Sequence, residues 1–70
     1  MSQKAVYDLL KELDGTATTK QIRELAKKRY HAHTLYLYVT NRLKKLERNG
    51  YIIHEEGAGG PLWKIIKGHP

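Results

Sequence analysis

Several polar side chains near the middle of the chain have the types and spacing to read nucleic-acid bases. They are Thr40, Asn41, Lys44 and Arg48. Intervals of three and four residues place them on one side of a helix. Asparagine is suited to adenine, lysine and arginine reach guanine or phosphate, and threonine contacts either. Lys45, nearer the edge of that side, is expected to meet phosphates.

The other side of this predicted helix is apolar. It consists of Leu35, Val39, Leu43 and Leu46. These residues fall within about 80° of arc at 100° per residue, which predicts that they face a core. Thr34 is expected to cap the helix at its start, and Asn49-Gly50 to end it after Arg48.

Leu37 is an apolar residue on the polar side of the same helix. It can touch the methyl group of a thymine. Alternatively it can join Tyr36 and Tyr38 in a contact with another polypeptide, and the sequence favours neither interpretation.

The positive charge is confined to the centre of the chain. The 70 residues carry a net charge of +6. Positions 20–48 hold nine basic and two acidic residues, a net charge of +7, and the other 41 residues have a net charge of −1. A field concentrated in one segment is typical of a protein with a polyanionic partner.

Two further helices precede this segment. Gln3–Leu13 has an apolar stripe, with Ser2 as its N-cap and Asp14-Gly15 after its end. Thr16–Thr18 is expected to form a short edge strand. Thr18 and Gln21 form a capping-box pattern for a second helix that extends to about Arg29.

The start of the second helix is a predicted anion site. Its first amides lack acceptors within the helix, so they are expected to contact a phosphate together with Thr18, Thr19 and Lys20.

The last third of the chain predicts a hairpin. Its strands are expected at 51–55 and 62–66, and the Gly-rich loop Gly57–Pro61 is longer than a two-residue turn and should project. Trp63 is expected in the core and Lys64 at most beside a nucleic acid. The loop has no basic residue, so it should contribute little affinity.

The stretch Val39–Ile52, a polar helix that turns at Gly50 into a β-rich run, resembles the winged helix-turn-helix family, including its small archaeal and viral regulators. The resemblance implies an α+β fold of three helices, a short strand and a C-terminal β-hairpin wing. It covers a single domain, 1–70, with a core of about 4–67. It further implies a regulator of transcription that places its third helix in the major groove of double-stranded DNA.

The hairpin is also similar to that of the Z-alpha family, whose members bind left-handed nucleic acid. The similarity lies in Pro61, Trp63 and the run Ala17-Thr18-Thr19. On the core spacing, Thr40 stands in place of the family's asparagine and Lys44 in place of its tyrosine, whereas Asn41 fits only after a shift. The contacts implied by this alternative are Thr40, Asn41, Lys44, Pro61 and Trp63.

Other functions are disfavoured. The chain has no cysteine, and its four histidines have no matching carboxylates at metal-site spacing, so neither a metal nor a cofactor is expected. Neither a catalytic constellation nor room for a deep pocket is expected, which argues against an enzyme and a small-molecule effector. The absence of a long apolar run and of a signal peptide predicts a cytoplasmic protein without membrane contact.

Double-stranded DNA is therefore the expected partner. A protein-interaction winged helix and an RNA-binding protein are the alternatives, and a symmetric homodimer stays open.

Overall fold

The computed structural model describes residues 2–30 and 36–68, with only the backbone of Tyr36. Its elements are α1 (Gln3–Glu12), β1 (Thr16–Thr18), α2 (Thr19–Tyr30), α3 (Tyr36–Arg48), β2 (Ile52–Gly57) and β3 (Gly60–Ile65). The three strands form one antiparallel sheet in the order β1-β3-β2. This confirms the predicted α+β architecture of three helices, a short strand and a C-terminal hairpin, and it is consistent with a winged helix. None of the described helices is both long and apolar enough to cross a membrane.

Helix α1 begins and ends at local signals. The Ser2 Oγ atom accepts a hydrogen bond of 3.1 Å from the amide of Ala5, which confirms the predicted N-cap. Leu13, predicted as the last helical residue, is the C-cap. The amides of Asp14 and Gly15 then return to carbonyls of the last turn at 3.1 and 3.0 Å, and both residues have a left-handed backbone.

The capping box at the start of α2 is formed as predicted. The Thr18 amide donates to the Gln21 side chain at 2.9 Å, and the Gln21 amide donates to the Thr18 hydroxyl at 3.2 Å. Two of the exposed backbone donors at this helix end are therefore satisfied by side chains. The helix ends at Tyr30, one residue beyond the predicted end.

Helix α3 packs its apolar side inward. Val39, Leu43 and Leu46 are fully buried, which confirms these core positions, whereas Leu35 and the predicted cap Thr34 lie outside the described residues. Gly50 ends the helix with a φ of 84°, since its amide and that of Tyr51 turn back to α3 carbonyls at 3.0 Å.

The hairpin differs from the prediction. Gly57 pairs with Gly60, so β2 and β3 are joined by the two-residue turn Ala58-Gly59 and the expected long, projecting loop is wrong. Glycine-rich composition suggested a loop, but the two paired glycines continue the strand ladder. Gly60, at a φ of 98°, supplies the left-handed conformation that starts β3.

The core lies between the helices and one face of the sheet. It contains Val6, Tyr7, Leu9, Leu10, Ala17, Ile22, Ala26, Val39, Leu43, Leu46, Ile52 and Trp63. Ala17 of β1 lies opposite Trp63 of β3, so the short first strand extends the hairpin as the third strand of the sheet. As a result α2, α3 and the hairpin meet around Trp63.

Candidate nucleic-acid interface

The outward side of α3 carries polar residues that the core leaves accessible. Asn41, Lys44, Lys45 and Arg48 are exposed, and Thr40 is half-buried. Because Val39, Leu43 and Leu46 fix the rotation of the helix, these side chains face away from the core. The structure therefore brings together the α3 residues that the sequence singled out.

The basic residues differ in whether a carboxylate neutralises them. Lys4 pairs with Asp8 at 3.0 Å, Lys64 with Glu55 at 3.0 Å, and Arg29 with Glu12. In contrast, within residues 2–30 and 36–68 four exposed basic residues at the α2 start and on α3 form no ion pair. These residues are Lys20, Lys44, Lys45 and Arg48. Their charge is available to an anionic partner.

A groove of about 410 Å³ separates α3 from the hairpin. It is lined by Thr19, Leu37, Thr40, Lys44, Glu47, His54, Glu56, Pro61 and Trp63. The sequence analysis expected no room for a deep pocket in so small a domain. The junction of α3 with the hairpin nevertheless leaves this groove, which is open to solvent.

Trp63 forms the buried wall of the groove and connects the hairpin to α2. Its side chain is 3% exposed, and its indole Nε1 donates a hydrogen bond of 2.8 Å to the Thr19 hydroxyl. Thr19 is itself only 4% exposed and its hydroxyl accepts from the indole, while its contact with a phosphate stays a prediction. A buried indole N–H requires an acceptor, and Thr19 supplies it.

A second contact connects the hairpin to α3. The His54 Nδ1 atom lies 2.6 Å from a carboxylate oxygen of Glu47, and its ring lies 5.1 Å from the Trp63 ring. Glu56 lies 3.5 Å from the other ring nitrogen. The sequence analysis missed this cluster, although strand alternation from the apolar Ile52 places His54 on the inner face of β2.

Thr40 carries a buried side-chain oxygen that the described chain leaves without a hydrogen-bond partner. Thr40 lines the groove between Leu37 and Lys44. A ligand that enters the groove can satisfy this hydroxyl, which unpaired costs about 1–3 kcal/mol.

The remaining predicted contacts are distributed unevenly. Lys20 is exposed at the start of α2, but the Thr18 hydroxyl is occupied by the Gln21 amide. Lys64 follows Trp63 on β3, so its side chain lies on the sheet face away from the groove, where it pairs with Glu55. Thr34 lies outside the described residues.

The residues implied by the Z-alpha resemblance are brought together with one exception. Thr40, Lys44, Pro61 and Trp63 line the same groove. Asn41 is exposed on α3 and is not among the lining residues. Pro61 and Trp63 of the hairpin therefore face Thr40 and Lys44 of α3 across the groove.

Among the described residues, no three His, Asp or Glu side chains come together in a group that could hold a metal ion. Comparison of the chain with family models, with curated proteins and with solved structures gives no match. The interpretation of the interface therefore depends on its own geometry and charge.

Proposed function

We propose that this chain is a DNA-binding regulator of transcription that acts in the cytoplasm and inserts α3 into the major groove of double-stranded DNA. The major groove admits an α-helix, and base edges there offer the acceptors and donors that Asn41, Lys44 and Arg48 complement. Binding requires neither a cofactor nor a catalytic step. The phosphate backbone supplies most of the affinity.

One observation carries the proposal: the exposed side of α3 holds cations that no carboxylate of the described chain neutralises. Lys44, Lys45 and Arg48 lie in about the last one and a half turns of a helix whose opposite side is fully buried. Leaving these charges unpaired has no benefit for folding, since cations this close repel one another. A partner with closely spaced negative charges removes that repulsion.

Salt dependence of binding tests the proposal. The wild-type protein is expected to bind random-sequence duplex DNA with an affinity that falls linearly on a log–log plot against salt, with a slope of about −0.9 for each phosphate contacted. Fluorescence anisotropy over a range of salt concentrations measures the slope. Failure to bind the duplex even at low salt would refute the proposal, and competition by duplex RNA separates DNA from RNA as the partner.

Left-handed nucleic acid is a second candidate, favoured by one specific observation. Thr40 and Lys44 of α3 face Pro61 and Trp63 of the hairpin across the groove, in the combination that the Z-alpha resemblance implies. In this alternative the unpaired hydroxyl of Thr40 takes the place of the asparagine side chain that the Z-alpha family carries at this position.

Circular dichroism of an alternating C-G duplex distinguishes the two candidates. If the second candidate is right, excess protein inverts the spectrum to that of the left-handed form, and Trp63→Phe, which retains an aromatic ring, preserves part of the effect. The first candidate predicts binding with the right-handed spectrum retained.

A further inference from the structure

Leu37 is the most exposed of the large apolar side chains in the described parts of the chain. It is 70% exposed, compared with 37% for its neighbour Tyr38. Tyr38 is engaged with Arg42, whose guanidinium lies 4.5 Å from the Tyr38 ring centre and donates to its hydroxyl at 3.1 Å. Leu37 contributes little to the core, so its side chain is available to a partner.

The surroundings of Leu37 identify the kind of partner. Thr40 and Lys44 follow it at three and seven residues, on the same side of α3, and all three line the groove. An apolar protein surface on Leu37 would also cover Lys44 and remove its ammonium from water without a counter-charge, which is costly. A nucleic-acid duplex instead supplies phosphates for the cation and a groove for the helix.

The major groove offers one apolar group at the base edges, the C5-methyl of thymine. On the basis of the proposed function, we infer that Leu37 is a specificity-determining residue that reads the methyl group of one thymine. Leu37 and Lys44 are separated by seven residues, or about 10.5 Å along the helix. The thymine therefore lies within about three base pairs of the base or phosphate that Lys44 contacts, since a tilt of the helix axis against the DNA axis shortens the span.

Replacement of thymine by deoxyuridine removes this methyl group and changes no hydrogen bond of the base pair. Bound sequences are first selected from a random duplex pool, and each thymine of the selected site is then replaced singly. The wild-type protein is expected to bind about fourfold more weakly at one position, which corresponds to the burial of one methyl group. Replacements at the other positions should leave the affinity unchanged.

Two variants assign the effect to Leu37. Leu37→Ala should bind the thymine and deoxyuridine sites equally, and the exposure of this side chain means that the fold does not depend on it. Ile53→Ala is the matched control, because Ile53 is another exposed aliphatic residue, 39% exposed on the hairpin. It should retain the fourfold discrimination.

The outcomes separate this inference from the proposed function. The inference is wrong if no deoxyuridine replacement weakens DNA binding by the wild-type protein, or if Leu37→Ala still binds the thymine site more tightly than the deoxyuridine site. Salt-dependent duplex binding stands in both cases. If the wild-type protein binds no duplex, both are wrong. The series of single deoxyuridine replacements uses the wild-type protein, so its result does not depend on the folding of any variant.

Discussion

Replacement of Lys44, Lys45 and Arg48 together by alanine is expected to lower the affinity for duplex DNA by about 10²-fold near 0.1 M salt. Each phosphate contact contributes a slope of about −0.9 to the log–log salt dependence, so the slope flattens by about 0.9 for each of the three side chains that contacts a phosphate rather than a base, and by about 2.7 if all three do. These side chains are exposed and form no ion pair in the described chain, so their loss should leave the fold unchanged. Anisotropy titrations at several salt concentrations measure both quantities.

A control variant with the same loss of net charge separates the effect of the α3 contacts with DNA from the effect of the protein's overall positive charge. Lys4, Lys11 and Lys67 lie outside the basic central segment, and their replacement by alanine also removes three positive charges. This variant should keep nearly the wild-type slope. An equal loss in the two triple variants would mean that α3 does not hold the phosphates.

Replacement of Trp63 by alanine is expected to remove about half of the free energy of unfolding. The loss of a buried tryptophan costs about 3–5 kcal/mol. A domain of 70 residues is stabilised by only about 4–10 kcal/mol in total, at roughly 0.05–0.15 kcal/mol per residue. Urea denaturation followed by circular dichroism measures the change in the free energy of unfolding.

Milder variants measure the contribution of the hydrogen bond between Trp63 and Thr19 to the free energy of unfolding. Trp63→Phe leaves the buried Thr19 hydroxyl without its donor, and Thr19→Val leaves the indole without its acceptor, so each should cost about 1–3 kcal/mol. The double variant has no unpaired group at this site and should cost less than the sum of the two. Simple additivity would show that the bond contributes nothing.

Local signals predicted the helices of this chain well. Three such signals are the Ser2 cap, the Thr18–Gln21 capping box and the turn at Gly50. Each depends on residues within a few positions of one another, so it could be predicted from the sequence. The buried side of α3 followed from the same kind of information, since the 3.6-residue period fixes which side chains share a face.

Contacts between distant segments could not be predicted in this way. Thr19 and Trp63 are 44 positions apart, so only the folded chain shows that the threonine is an acceptor for the indole. The pairing of His54 with Glu47 likewise depends on how β2 approaches α3. The hairpin turn was predicted wrongly because glycines that continue a ladder and glycines that form a loop look alike in composition.

The candidate site combines both kinds of information. The exposed side of α3 was predicted residue by residue, whereas the groove in front of it was not, because its second wall comes from the hairpin. The Z-alpha resemblance named Pro61 and Trp63, and the structure places them opposite Thr40 and Lys44.

The two contacts that hold the hairpin, Trp63 to Thr19 and His54 to Glu47, fix the distance between the walls of the groove before any ligand arrives. A groove of fixed width favours ligands whose width already matches it. If the ligand is the proposed DNA duplex, little ordering of the protein accompanies association, and any bending or widening takes place in the duplex. Sequences whose backbone already has the required width would be preferred, even at base pairs that no side chain touches.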